Sequence, residues 1–190
     1  MAKKLKIKAQ LPAQDLLLLE RVSRLLRSAS FEHGLYPAQW EVLRYLAAAN
    51  VFSNSPKALA RYLGATKGTV SQTVGTLVSK GLVVKSARAG DERSVTLVVS
   101  EAGHAMLKQD PLQFAVTSIE AMGDKTRRRF SKGLLEILTA ETLRVGEPQF
   151  GDCTACRYAR EREGIYCMKF TTAIETQNVN LLCVEFVASN

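Results

Sequence analysis

The sequence predicts a mainly α-helical fold with one small β-hairpin, an α+β arrangement, and a short cysteine-bearing segment at its end. Three observations carry this. Apolar residues recur at helical spacing through most of the first 145 positions. One alternating segment, Val95, Leu97 and Val99 with Thr96 and Val98 between them, returns against the apolar triplet Leu82-Val83-Val84. All four cysteines, Cys153, Cys156, Cys167 and Cys183, lie beyond Phe150. With 190 residues, 46% of them hydrophobic, the chain can bury a real core, and this excludes a disordered polypeptide. Three parts follow: a basic arm at 1–10, a helical body at 11–148 and the cysteine segment at 149–190.

The elements read off in order. Pro12 opens a first helix whose apolar stripe is Leu16, Leu19, Val22, Leu25, Leu26 and Ala29, with Gly34 as its expected left-handed cap. A second helix runs from Pro37 to about Ala49. Ser55-Pro56 is an N-cap followed by a first-turn proline, and the short helix it starts ends at Gly64. Another helix spans Lys67 to Lys80, buries Val70, Val74, Leu77 and Val78, and stops at Gly81. The hairpin comes next. Ser100 then caps a helix reaching roughly Met122, which Pro111 must kink or split. In that helix Gly103 stands where a capping box would place a carboxylate. Asp124 starts the last helix, striped with Phe130, Leu134, Ile137, Leu138 and Leu143.

A short helix, a glycine turn, a second helix and a hairpin form the order of a winged helix-turn-helix. In such a unit the second helix buries one face and offers the other to the DNA major groove. Here the offered residues are Lys67, Thr69, Ser71, Gln72, Thr73 and Thr76. Gln72 can pair with an adenine edge. Thr69 and Thr73 can meet thymine methyls or phosphates, and Lys67 can reach guanine or phosphate. The hairpin carries Lys85, Arg88 and Arg93, and arginine at a hairpin tip suits a narrow minor groove. Charge agrees with this placement. The net charge is +8, yet from Gly151 onward four basic residues face five acidic ones, so the excess belongs to the body. A polar helix face is by itself commonly just solvated. Between a glycine turn and a basic hairpin it reads as double-stranded DNA binding.

The stretches Leu59-Ala60-Arg61-Tyr62-Leu63-Gly64-Ala65-Thr66-Lys67-Gly68-Thr69-Val70-Ser71, Leu77-Val78-Ser79-Lys80-Gly81-Leu82-Val83 and Gly90-Asp91-Glu92-Arg93-Ser94 resemble the MarR family of transcription regulators. The resemblance covers about residues 12–145, and the wing pattern Asp91-Glu92-Arg93 is its most specific piece. It implies that Asp91 braces the wing and that Arg93 enters the minor groove. It also implies a homodimer in which the first and last helices interlock across a two-fold axis, reading a pseudo-palindromic operator. Gln72, Gly75 and Thr76 depart from the charged residues common in that family, so base specificity does not transfer.

The cysteines are spaced C-x2-C, then ten residues, C, fifteen residues, C. A Cys-x-x-Cys knuckle turns two thiolates toward one centre, and Cys167 and Cys183 complete four ligands. Four separately buried cysteines are the plainer alternative, and disulfides are disfavoured in a reducing compartment. The aromatic residues Tyr158, Phe170 and Phe186 follow cysteines closely. In this the segment resembles high-potential iron–sulfur proteins and small subunits of some glycyl-radical enzymes. That resemblance implies an iron–sulfur cluster, [4Fe–4S] or [2Fe–2S], with structural zinc as the alternative.

The remaining expectations are quickly stated. No apolar run is long enough to span a bilayer, and the Lys-rich start lacks the apolar stretch of a signal peptide, so no membrane contact and a cytoplasmic location are expected. Phe31, Tyr36 and Trp40 could line a pocket for a small aromatic ligand, though core packing is the commoner role of such residues. No catalytic triad, phosphate loop or carboxylate pair assembles, so an enzyme is not expected. A cluster-bearing electron-transfer accessory protein is the rival from another class.

Overall fold

The structure, a computed structural model, describes residues 11–29, 31–88 and 91–189, and of Arg88 and residues 91–93 the backbone only. Seven α-helices are described: α1 (Pro12–Ala29), α2 (Pro37–Ala48), α3 (Pro56–Leu63), α4 (Lys67–Ser79), α5 (Glu101–Leu107), α6 (Gln113–Glu120) and α7 (Asp124–Val145). The strands β1 (Val83–Arg88) and β2 (Asp91–Val99) form the wing after α4. A three-stranded sheet of β3 (Ala159–Arg162), β4 (Gly164–Cys167) and β5 (Thr172–Ile174) lies in the cysteine segment.

Local chemistry sets the boundaries around α3 and α4. The Ser55 hydroxyl accepts from Ala58 N at 3.2 Å, and Pro56 supplies a fixed φ in the first turn. Gly64 ends α3 at φ 57°, a conformation that costs glycine little. The Thr66 hydroxyl then accepts from Thr69 N at 3.2 Å and opens α4. The core collects on α2. Trp40, Val42, Leu43 and Tyr45 are almost fully buried, packed with Leu59 of α3, with Val70, Val74 and Leu77 of α4, and with Leu97 of the wing. Val78 is only half-buried. The wing strands are antiparallel, pairing Val83 with Val99 and Lys85 with Leu97.

Two boundaries differ from expectation. The first helix ends at Ala29 rather than at Gly34. His33 (φ 55°) and Gly34 (φ 71°) instead form a tight turn that pairs Glu32 with Leu35, and Trp40 Nε1 donates to Glu32 O at 3.3 Å. Pro111 splits its helix completely, leaving a gap between Leu107 and Gln113. That gap is tied to the core helix by Arg44, whose Nε and Nη2 donate to the Asp110 carboxylate at 2.6 and 3.0 Å.

The helices α1, α6 and α7 bury none of their residues. Their apolar stripes, Leu16, Leu19 and Val22 in α1 and Leu134, Ile137 and Leu138 in α7, remain exposed. The cysteine segment behaves differently and packs on the body of its own chain. Leu182 N donates to Ala48 O at 2.7 Å, and Asn50 N donates to Leu182 O at 3.0 Å. Val184 N donates to the buried Ser53 hydroxyl at 2.8 Å. Phe150 meets Tyr45 and Tyr62 edge-on, and Phe52 stacks on Phe170 at 4.0 Å. Among the described residues no helix is long and apolar enough to cross a membrane.

Candidate nucleic-acid interface and four-cysteine cavity

Burial of Val70, Val74 and Leu77 turns the opposite face of α4 outward. Lys67, Thr69, Ser71 and Gln72 are exposed there, while Thr73 and Thr76 are half-buried. The threonine protons are already used. Thr73 Oγ1 donates to Thr69 O at 2.9 Å and Thr76 Oγ1 to Gln72 O at 3.1 Å, so both hydroxyls meet an incoming group as acceptors or through their methyls. Lys67 and Gly68 occupy the first turn of α4, where backbone N–H groups have no intrahelical partner and favour an anion. Gly68 adds no Cβ to obstruct that approach.

A recess beside this turn is lined by Lys57 of α3, Lys67, Val70, Ser71 and Val74 of α4, and Lys85 of β1. Three lysines from three elements thus line one concave spot, a lining that suits phosphate contact. Lys57 was missing from the sequence-based set. Its position directly after Ser55-Pro56, in the first turn of the helix, was the available signal. On the wing, Arg88 pairs with Asp91 across the hairpin with an irregularity between Ala87 and Arg88. The side chains of Arg88, Asp91 and Arg93 lie outside the described residues.

The four cysteines are brought together. Cys153, Cys156, Cys167 and Cys183 line a single cavity between the cysteine segment and the body, and none is in a disulfide. A short 3-10 turn at Cys153–Ala155, capped by Asp152 on Thr154 N at 2.8 Å, presents the knuckle. The hairpin of β3 and β4 delivers Cys167 opposite Ala159. Cys183 arrives by pairing with Gly151, over which the Phe186 ring lies so closely that a Cβ would meet it at 2.8 Å. Tyr158 and Phe170 line the cavity with the thiols, and Lys169 stands over the Tyr158 ring at 5.5 Å. Phe186 is spent on Gly151.

The cavity disfavours bare thiolates. Burial, then the neighbouring Cys183, Cys156 and Cys167, push the Cys153 thiol up to about 11. Burial raises the Cys183 thiol as well, against the Glu185 backbone and the Asn50 side chain, which favour its thiolate. A bound cation would remove both penalties. Among the described residues, however, no three His, Cys, Asp or Glu side chains converge closely enough to hold one metal ion. A salt-bridge pair closes the rim of the cavity, Glu185 meeting Lys169 at 2.7 Å and Arg61 of α3 at 3.4 Å.

The expected aromatic pocket does not gather its three residues in one environment. Trp40 is fully buried in the core, whereas Phe31 and Tyr36 are exposed and meet edge-on at 6.0 Å.

Residues 33–94 match a family model described as the MarR family. Solved structures with the same fold include CouR from Rhodococcus jostii RHA1 bound to p-coumaroyl-CoA, at 22% identity and TM-score 0.55, covering 68% of this chain and 95% of that one. The S. aureus MepR–DNA complex is similar at 18% identity and TM-score 0.53, over 66% of this chain and 96% of MepR. A mutant MarR from E. coli is similar at 22% identity and TM-score 0.51, over 69% of this chain and 99% of that one. No curated protein matches the chain in sequence.

Proposed function

We propose that this chain is a DNA-binding transcription regulator of the MarR type, acting as a homodimer, whose four C-terminal cysteines hold an iron–sulfur cluster that senses redox state or iron. The observation that carries the DNA-binding part is the exposed polar face of α4 beside three lysines, within the segment that matches the MarR family model. The dimer is supported by the apolar faces of α1, α6 and α7, which one chain leaves exposed and a second copy would cover. Two recognition helices related by a two-fold axis would read a pseudo-palindrome with half-sites about one turn of DNA apart.

DNA binding is tested by selection from a random duplex library, followed by anisotropy titrations over a range of salt. An enriched pseudo-palindrome is expected. Lys67→Ala should weaken binding to every sequence and lower the salt slope by about 1. An unchanged slope would remove Lys67 from the phosphate contacts, and no enrichment at all would sink the DNA reading.

The cluster is supported by the donor set and its spacing. Four thiols lining one cavity, with Tyr158 and Phe170 beside them, are a donor set that an iron–sulfur cluster uses. A single tetrahedral zinc on the same four sulfurs is the alternative. Such a cluster supplies a change of charge on reduction and is lost when iron is scarce. Protein purified without oxygen should therefore absorb broadly in the visible and contain iron and acid-labile sulfide. A colourless protein with one zinc per chain would overturn the cluster and leave the segment as a structural clip. Iron and sulfide without DNA affinity would instead favour an electron-transfer accessory protein.

A small aromatic ligand is the second reading. Phe31 and Tyr36 present exposed rings near the entrance to α2, and the similar CouR holds p-coumaroyl-CoA.

A further inference from the structure

We propose that Asn50, a residue of the DNA-binding body, donates its side-chain N–H to the sulfur of Cys183 and thereby sets the potential of the centre held by the four cysteines. This rests on the reading that those cysteines hold an iron–sulfur cluster. Asn50 is 1% exposed, just beyond the end of α2. Its amide orientation is fixed by its neighbours. Asn50 Oδ1 accepts from Phe52 N at 3.1 Å and from Ser53 Oγ at 2.8 Å, so the oxygen must face the turn. Nδ2 therefore faces the other way, toward the cavity that Asn50 lines together with all four cysteines.

There Nδ2 has no hydrogen-bond partner. A buried donor left unpaired is destabilising, and its presence asks for an acceptor. A neutral thiol is a weak acceptor. A metal-bound thiolate is a far better one, because the bond is then charge-assisted. Of the four cysteines, Cys183 lies nearest to Asn50 through the backbone, since Asn50 N donates to Leu182 O, one residue away along the chain.

The same turn leads directly into the DNA-binding elements. Ser53 O accepts from Tyr45 Oη at 2.7 Å, Asn54 O accepts from Leu97 N of the wing at 2.7 Å, and Ser55 caps α3. Asn50 is thus a positioning residue with the cysteine sulfur on one side and the start of the helix-turn-helix on the other. Reduction adds negative charge to the sulfurs and strengthens an N–H···S bond, so the bond raises the potential.

The test uses full-length protein reconstituted without oxygen with ferrous iron and sulfide. Asn50→Ser keeps a short acceptor for the turn and removes Nδ2 without adding charge. Its midpoint potential should shift to a more negative value at unchanged iron and sulfide content. In the unsubstituted protein, asparagine labelled with 15N at the side-chain amide should show a nitrogen coupling in the pulsed electron paramagnetic resonance spectrum of the paramagnetic state. An unshifted potential in an iron-loaded Asn50→Ser protein overturns the proposal. If Asn50→Ser does not fold, the labelled protein decides alone, and absence of the coupling overturns it. A native protein that takes up neither iron nor sulfide overturns the underlying cluster reading, and this bond with it.

Discussion

Gly103→Ala will destabilise the DNA-binding body by about 3 kcal/mol, at the upper end of what overpacking a core costs. Gly103 is buried in the first turn of α5, where its N–H donates to the Ser100 hydroxyl at 3.0 Å. A Cβ added there would collide with the carbonyl oxygen of Leu82 and lie 2.7 Å from Cγ1 of Val99. Leu82 O is not free to move away. It accepts from Ser100 N at 3.0 Å, and Ser100 Oγ donates to Gly81 O at 2.6 Å, so the end of α4, the wing and the start of α5 are clamped together. The substitution must break that clamp or tilt α5. Urea denaturation reads the effect as a lower midpoint at unchanged slope. A stability within about 0.5 kcal/mol of the native protein's, the range of an ordinary surface substitution, would mean that α5 is loosely held.

Removal of everything after Pro148 will cost the body about 4 kcal/mol, although it leaves the whole winged unit in place. Val184 and Ile174 are buried, and Phe150 and Leu182 pack on the body's core. Burying one such side chain contributes about 1.5–3 kcal/mol. Truncation also strips Val184 N from the Ser53 hydroxyl and the paired strand from Asn50, uncovering polar groups that are now fully buried. The measurement is thermal unfolding of the two chains side by side. Equal melting temperatures would make the cysteine segment an independent module, against the contacts described above.

The sequence made the helix-turn-helix legible because its boundaries are written in single residues whose chemistry is local. Ser55-Pro56, Gly64, Thr66, Gly81 and Ser100 each stop or start an element through one backbone conformation or one hydrogen bond. Gly34 misled for the same reason. Its positive φ is real, but it serves a turn held by Trp40, not a helix cap, and nothing local distinguishes the two. The carboxylate absent from the capping position at Gly103 was visible in the sequence, while its cause was not: the obstruction comes from Leu82 and Val99, twenty-one and four residues earlier in the chain. The sheet of the cysteine segment was also illegible. Its strands have three or four residues, and β3, Ala-Arg-Glu-Arg, has no apolar alternation to betray it. Cysteine spacing pointed to one shared site, but not to Asn50, more than a hundred residues earlier.

The bridge between Ala49 and Leu182 also bears on how the chain reaches its fold. The turn after α2 gains its last partners only from residues 182–184, so that turn is completed only once those residues have joined it. Contacts of such sequence separation slow folding, because a long loop must close before they contribute. The nascent body should therefore persist as an open intermediate, with Ser53 and Asn50 accessible to water, and complete its fold only after residue 184 has been added.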